Sequence, residues 1–140
     1  MFQLKLFLFT LPVFLAFDAV WLGLVARGFY AEHLGHLMAP TPQWYAAIIF
    51  YIVDVVGILT FVVNPSLKEK SPRRACFFGG LFGLVTYATY DLTNLATLRD
   101  WPVVVTLVDL AWGVVITGLV SGISCWFGLK VLGFTKVSST

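Results

Sequence analysis

Residues 103–129 read VVVTLVDLAWGVVITGLVSGISCWFGL, and this stretch decides the fold class. It holds a single charged side chain, Asp109, and it is longer than the roughly 20 apolar residues that an α-helix needs to cross a bilayer. The rest of the 140-residue chain agrees, because 59% of the residues are hydrophobic and only 11% are charged. About a quarter of the residues are charged in a typical soluble domain. We therefore expect an integral membrane protein.

Three other apolar stretches are also long enough to span a bilayer, and the segments between them are too short for a soluble domain. The sequence predicts an all-α bundle of four transmembrane helices, forming one integral membrane domain over residues 1–140. The first stretch is interpreted as a retained helix rather than a cleaved signal peptide, since its apolar run is too long and no small-residue cleavage site follows it. The predicted spans are Leu6–Ala26, Trp44–Val63, Ala75–Leu98 and Val103–Leu129.

Basic residues are concentrated on one side of this topology. The opposite side carries only Arg27 and Arg99. Because lysine and arginine are enriched in cytoplasmic loops, this bias predicts that both chain termini are cytoplasmic. The residues on the basic side are Lys5, Lys68, Lys70, Arg73, Arg74, Lys130 and Lys136.

Each predicted helix contains one aspartate: Asp18, Asp54, Asp91 and Asp109. A charged side chain at the centre of a membrane helix costs about 2.5–3.5 kcal/mol on insertion scales. No predicted span offers a lysine or arginine at the same depth. The carboxyl groups must therefore be protonated, hydrogen-bonded to one another, exposed to a water-filled cavity, or matched by a bound cation.

The spacing of polar residues predicts one shared binding site. Tyr87, Asp91 and Asn94 fall on one stripe of the third helix. Asp18 with Trp21, and Asp109 with Trp112, repeat a spacing that places a carboxylate and an indole on one helix face. The topology then places these three carboxylates in the outer half of the membrane, where we expect a cavity between helices one, three and four. Asp54 is the least certain member, because its neighbours are apolar.

The same residues allow a purely structural interpretation. Aspartate and asparagine inside membrane bundles can simply bond neighbouring helices, at about 0.6 kcal/mol each. The motifs Gly79-x-x-x-Gly83 and Gly118-x-x-x-Gly122 similarly favour close helix packing, either within the chain or in a homo-oligomer. Membrane lipids are the expected surroundings, and no basic face of the size needed for nucleic acid exists.

Other kinds of site are poorly supported. Glu32, His33 and His36 lie close together in one loop, but a solvated interfacial helix explains them better than a metal site, which usually has three or four ligands. The two cysteines, Cys76 and Cys125, are most simply small buried side chains. The sequence identifies no catalytic residue, no metal ligand and no particular cofactor.

Several motifs carry a resemblance to a known family. They are YATYDLTNLATL at residues 87–98, Asp100-Trp101-Pro102, the segment DLAWG at 109–113, and Asp18 with Trp21. The sequence resembles a family of small bacterial integral membrane proteins catalogued as a domain of unknown function, and the resemblance covers most of the chain. It implies a location in the bacterial inner membrane and a single domain. It implies no substrate.

Three functions remain open from the sequence. The first is a protein that binds or transports a cation, a proton or a small polar or amphipathic molecule through the aspartates. The second is an enzyme acting on a lipid or isoprenoid substrate, which ranks lower because two histidines cannot supply a membrane di-iron site and no Gly-x-Ser-x-Gly motif occurs. The third is an accessory or assembly subunit whose polar groups only pack.

Overall fold

The computed structural model describes residues 1–134, and in that range the chain is helical with no strand. Two helices pass through π-helical turns along their length. The elements are α1 (Phe2–Val20) followed by the turn Trp21–Val25, α2 (Arg27–Leu34), α3 (Trp44–Gly57) followed by the turn Ile58–Val63, α4 (Asn64–Lys68), α5 (Pro72–Thr97) and α6 (Val103–Lys130).

Three continuous helices of the described residues are long and apolar enough to cross a membrane: Phe2–Val25, Trp44–Lys68 and Val103–Lys130. The all-helical membrane fold is therefore confirmed. Helix α5 has 26 residues, which is sufficient length, but the tyrosine, threonine, aspartate and asparagine residues of its second half reduce its hydropathy. The count of four spans and the cytoplasmic termini remain predictions.

The helix boundaries differ from the prediction in ways that have physical causes. The first helix begins at Phe2 rather than at Leu6, and the second continues through Pro65 to Lys68 rather than ending at Val63. A proline normally ends a helix because it lacks an N–H group and its ring crowds the carbonyl one turn earlier. Here a π-helical turn directly precedes α4, and its wider spacing accommodates the ring. Ser71 caps the start of α5, since its hydroxyl accepts the Arg74 N–H at 3.2 Å.

The tightest packing in the bundle lies between α5 and α6 and depends on glycine. A side chain at Gly83 would meet the backbone carbonyl of Gly113, and one at Gly79 would meet the Thr117 carbonyl at 2.7 Å. A side chain at Gly118 would likewise approach the Cys76 carbonyl at 3.0 Å. Both glycine motifs are thus used in the contact between these two helices. The homo-oligomer suggested for them remains a prediction.

The amino-terminal half of α1 packs against the end of α6 and closes one end of the bundle. The Thr10 hydroxyl donates to Ser124 Oγ at 2.9 Å, and both side chains are buried. The rings of Phe9 and Phe127 stack with centroids 3.6 Å apart. Lys136, one of the basic residues predicted to lie on the cytoplasmic side, is outside the described residues. The polar contacts that α1 makes with other helices at this end are between hydroxyl or amide groups, whereas Asp18, Asp91 and Asp109 lie toward the opposite end of the bundle.

Candidate functional site

A cavity of about 750 Å³ lies at the end of the bundle remote from Phe2. Residues from α1 and its π-helical turn, α2, α3, α5 and α6 form its wall, together with Trp101 from the turn before α6. Among residues 1–134, its lining includes three carboxylates and no lysine, arginine or histidine. The aromatic lining residues are Trp21, Tyr30, Phe50, Tyr51, Tyr87, Tyr90, Trp101 and Trp112.

Asp18 is held by two donors from different helices. The Tyr51 hydroxyl of α3 donates to one carboxylate oxygen, and Trp112 Nε1 of α6 donates to the other at 3.3 Å. The side chain is almost fully buried, with 7% of its surface exposed. Both oxygens therefore have partners, and Asp18 connects α1, α3 and α6.

Asp109 accepts a hydrogen bond from the short helix that covers the cavity. The Tyr30 hydroxyl of α2 donates to Asp109, and Trp21 Nε1 donates to the Tyr30 hydroxyl at 3.1 Å. Burial and the bond to Asp109 raise the pKa of the Tyr30 phenol, so it stays protonated at neutral pH and donates. The indoles of Trp21 and Trp112 stack with centroids 4.3 Å apart and planes 7° from parallel. These contacts fix α2 against the bundle.

Asp91 has no such partners. Its side chain is fully buried, and within residues 1–134 neither carboxylate oxygen has a hydrogen-bond donor. The Asp109 carboxyl group on α6 lies within hydrogen-bonding reach of Asp91, so the two can bond to each other only when one of them carries a proton. A buried polar group without a hydrogen bond costs about 1–3 kcal/mol, and a buried charge costs more. Within the described residues, the ionised Asp91 carboxylate is therefore left without an N–H or hydroxyl donor.

Six of the eight sequence-predicted site residues line this cavity: Asp18, Trp21, Tyr87, Asp91, Asp109 and Trp112. Tyr87 lies directly against α6, where its ring occupies the space that a side chain at position 113 would fill. That packing explains why a glycine follows Trp112.

Two of the predicted site residues lie elsewhere. Asn94 is half-buried nearer the end of α5, beyond the cavity. Asp54 is also half-buried but does not line the cavity, because Tyr51, one turn before it on α3, is the residue that reaches Asp18. The spacing argument placed both on the correct helices but could not give their height or rotation.

The lining residues that the sequence pattern did not identify as site residues include three tyrosines and a tryptophan: Tyr30, Tyr51, Tyr90 and Trp101. Tyr30 had a detectable signal, because it shares the apolar side of the predicted interfacial segment with Leu34 and Met38. Both of these also line the cavity. Tyr51 had a weaker signal, since it precedes Asp54 by one turn. Trp101 is buried, and its Nε1 donates to Thr106 Oγ1 at 3.0 Å.

The carboxylates do not form a compact ligand set. Among the described residues there is no group of three or more histidine, cysteine, aspartate or glutamate side chains that could hold one metal ion. The three aspartates instead lie around a cavity whose remaining wall is aromatic. This arrangement suits a ligand larger than a single ion.

The chain belongs to the family of predicted membrane proteins catalogued as DUF2177, whose model matches residues 3–126. The matched range includes every cavity residue, and the family has no assigned function. No curated protein and no solved structure matches the chain significantly.

Proposed function

Starting from its place in this membrane-protein family, we propose that the protein binds an organic cation in the aspartate-lined cavity. The observation that carries the proposal is the fully buried carboxyl group of Asp91, to which no N–H or hydroxyl group of residues 1–134 donates. A positive charge in the cavity would satisfy this carboxylate in its ionised form. Asp18 and Asp109 add carboxyl groups on the facing helices, and in the part of the chain that the structure describes the cavity lining includes no basic side chain that could compete.

The aromatic walls support an organic cation in particular. A cation over the face of tryptophan or tyrosine gains about 0.5–2 kcal/mol, with the larger values at desolvated sites. The stacked pair Trp21 and Trp112 and the ring of Tyr87 border the carboxylates. The volume of about 750 Å³ is in the range of cavities that hold molecules of about drug size.

Protons should compete with the ligand for the same carboxylates. Without a cation, a buried carboxyl group that no donor satisfies, such as that of Asp91, is more stable protonated than ionised. Binding of the cation then releases a proton from this group, and acidification weakens binding.

The proposal is tested by measuring how purified protein binds tetraphenylphosphonium, with Asp91→Asn compared against the wild type. Asparagine keeps the size of the side chain but removes its negative charge, so we expect the dissociation constant to rise at least tenfold. The wild-type affinity should also fall as the pH is lowered. Asp54→Asn is the matched control, since this intramembrane aspartate is half-buried outside the cavity, and we expect a change of less than threefold.

Two results would contradict the proposal. One is wild-type protein that does not bind tetraphenylphosphonium or any competing organic cation. The other is equal affinity in Asp91→Asn and the wild type at all pH values, because the charge of Asp91 would then contribute nothing to binding.

We further propose that α5 is a fourth span and that both termini are cytoplasmic in a bacterial inner membrane. The 26 residues of α5 are about 39 Å long at about 1.5 Å per residue, enough to cross a bilayer. Its aspartate is fully buried rather than facing lipid. The excess of lysine and arginine on the side of Lys5 supports this orientation.

This topology predicts a labelling pattern for single cysteines introduced into a variant that lacks native cysteine. An impermeant thiol reagent added to intact cells should label a cysteine at Glu32, in α2, but not one at Lys70, between α4 and α5. Both positions are exposed in the structure, so accessibility within the protein does not bias the comparison. The reverse pattern would invert the proposed orientation, and labelling of both would refute a four-span topology.

A further inference from the structure

The helices α3 and α5 separate from each other at the level of the cavity. Helix α3 packs on α1, and α5 packs on α6. The helix that begins with α3 contacts α5 nearer the closed end of the bundle. There the Phe61 and Phe82 rings face each other at 6.3 Å, and Gly57 lies beside the Phe82 ring.

About two helical turns beyond Phe82, both helices contribute to the cavity wall. Phe50 and Tyr51 come from α3, and Thr89 and Tyr90 come from α5. Phe50 is 47% exposed and Tyr90 is 62% exposed although both line the cavity. Because α3 and α5 do not pack against each other at this level and these wall side chains are partly exposed, we take the flank between the two helices as the opening of the cavity. We call this opening the α3–α5 gap.

The α3–α5 gap opens toward the region that lipid occupies. Helix α3 is part of the span Trp44–Lys68, and large apolar side chains cover its exposed face, among them Ile49, Ile52 and Val53. The Thr89 hydroxyl at the gap donates to the Val85 carbonyl of its own helix at 2.7 Å. A threonine bonded in this way presents mainly its methyl group, so it is tolerated beside hydrocarbon.

The other approach to the cavity is covered. Tyr30 and Leu34 are half-buried and lie over the carboxylates, Tyr30 is tied to Asp109 and Trp21, and Met38 forms the exposed edge of this cover. Trp101 is buried beside this cover, and its ring packs edge-on against Tyr90 at 5.9 Å. The side opening is therefore the more accessible route for a molecule already in the bilayer.

We propose that the ligand is a single-chain amphiphile with a cationic amine headgroup, which enters through the α3–α5 gap. The headgroup lies among Asp18, Asp91 and Asp109, and the alkyl chain runs between Phe50 and Tyr90 into the lipid. This inference rests on the proposed function and names its ligand class. A ligand of this class explains two features of the cavity together. Its cationic headgroup would pair with the carboxylates of the described lining, and its alkyl chain would pass through the opening toward hydrocarbon.

The chain path is tested by photolabelling the protein in lipid nanodiscs. The probe is a dodecyltrimethylammonium ion carrying a diazirine in its chain, and labelled peptides are mapped by mass spectrometry. We expect labelling concentrated on 44–57 and 72–97, and we expect excess tetraphenylphosphonium to remove most of it. A neutral dodecyl alcohol with the same diazirine should label all lipid-facing helices without such competition.

A pair of variants tests the gap itself. Thr89→Trp fills the opening and should reduce the competed labelling at least fivefold. Thr93→Trp places the same ring one turn further along α5, at an exposed position that does not line the cavity, and should leave the labelling unchanged. Both sites are on the helix surface, so neither change disturbs the core.

The outcomes separate this inference from the proposed function. If tetraphenylphosphonium binds but does not compete with the chain label, or if Thr89→Trp labels like the wild type, the lateral path is wrong and cation binding stands. If the wild type binds neither compound, the proposed function itself is wrong. Competed labelling that Thr89→Trp removes and Thr93→Trp retains would support both.

Discussion

Gly83→Ala is expected to lower the thermal unfolding midpoint of the detergent-solubilised protein more than any other single-methyl change in α5. The added methyl group would meet the carbonyl group of Gly113, which is backbone and cannot rotate away. Overpacking typically costs about 1–3 kcal/mol, and the upper part of that range applies here because α5 and α6 must move apart. The separation would also shift Tyr87, which packs at Gly113, so ligand affinity should fall together with stability.

The control for this prediction is Gly23→Ala. Apart from its chain neighbours and the backbone of its own helix, no atom of the described residues lies within 4 Å of the position that its added methyl group would take. Alanine is also the better helix former by about 1 kcal/mol. The midpoint should therefore stay constant or rise. Equal midpoints for Gly83→Ala and the wild type would show that the close contact between the two helices is not needed for stability.

Asp91→Leu is expected to abolish cation binding and at the same time raise the unfolding midpoint. The carboxyl group is buried without a donor, so its removal relieves an unsatisfied polar group, worth about 1–3 kcal/mol. The adjoining cavity offers space for the larger side chain. A gain in stability on losing a binding residue is typical of functional sites, where burial of a polar group is maintained at the expense of stability.

Asp18→Leu is the matched comparison. Asp18 accepts hydrogen bonds from Tyr51 and Trp112, so its loss leaves two half-buried donors without this partner and should lower the midpoint. If Asp91→Leu also destabilises the protein and leaves binding intact, the aspartates act as packing groups. The accessory-subunit hypothesis would then be the better account.

The helices could be predicted from the sequence because long apolar runs in lipid have few alternatives to the α-helix. Their ends were harder to place. The second span was predicted to end at Val63, two residues before Pro65, but a π-helical turn precedes this proline and the helix continues to Lys68. Such a turn depends on packing against neighbouring helices, and it leaves no local pattern that the sequence could reveal.

The candidate site could also be predicted in part from the sequence, because the position of a residue along a helix sets its depth. Depth along a helix follows from residue number, so Asp18, Asp91 and Asp109 could be placed at a common level before any coordinates were known. Rotation about the helix axis and the approach of α3 do not follow from numbering. That is why Asp54 was included although Tyr51 makes the contact to Asp18. Tyr30 was missed as a partner of Asp109 because it belongs to a short helix between two spans.

The most direct test of the central claim is an experimentally determined structure of the protein with tetraphenylarsonium bound. Arsenic gives an anomalous signal that locates the cation without assumptions about its surroundings. Cation binding in the cavity predicts one dominant arsenic position in the space bounded by Asp18, Asp91 and Asp109. An arsenic position on the lipid-facing surface, or a saturated protein with an empty cavity, would contradict it.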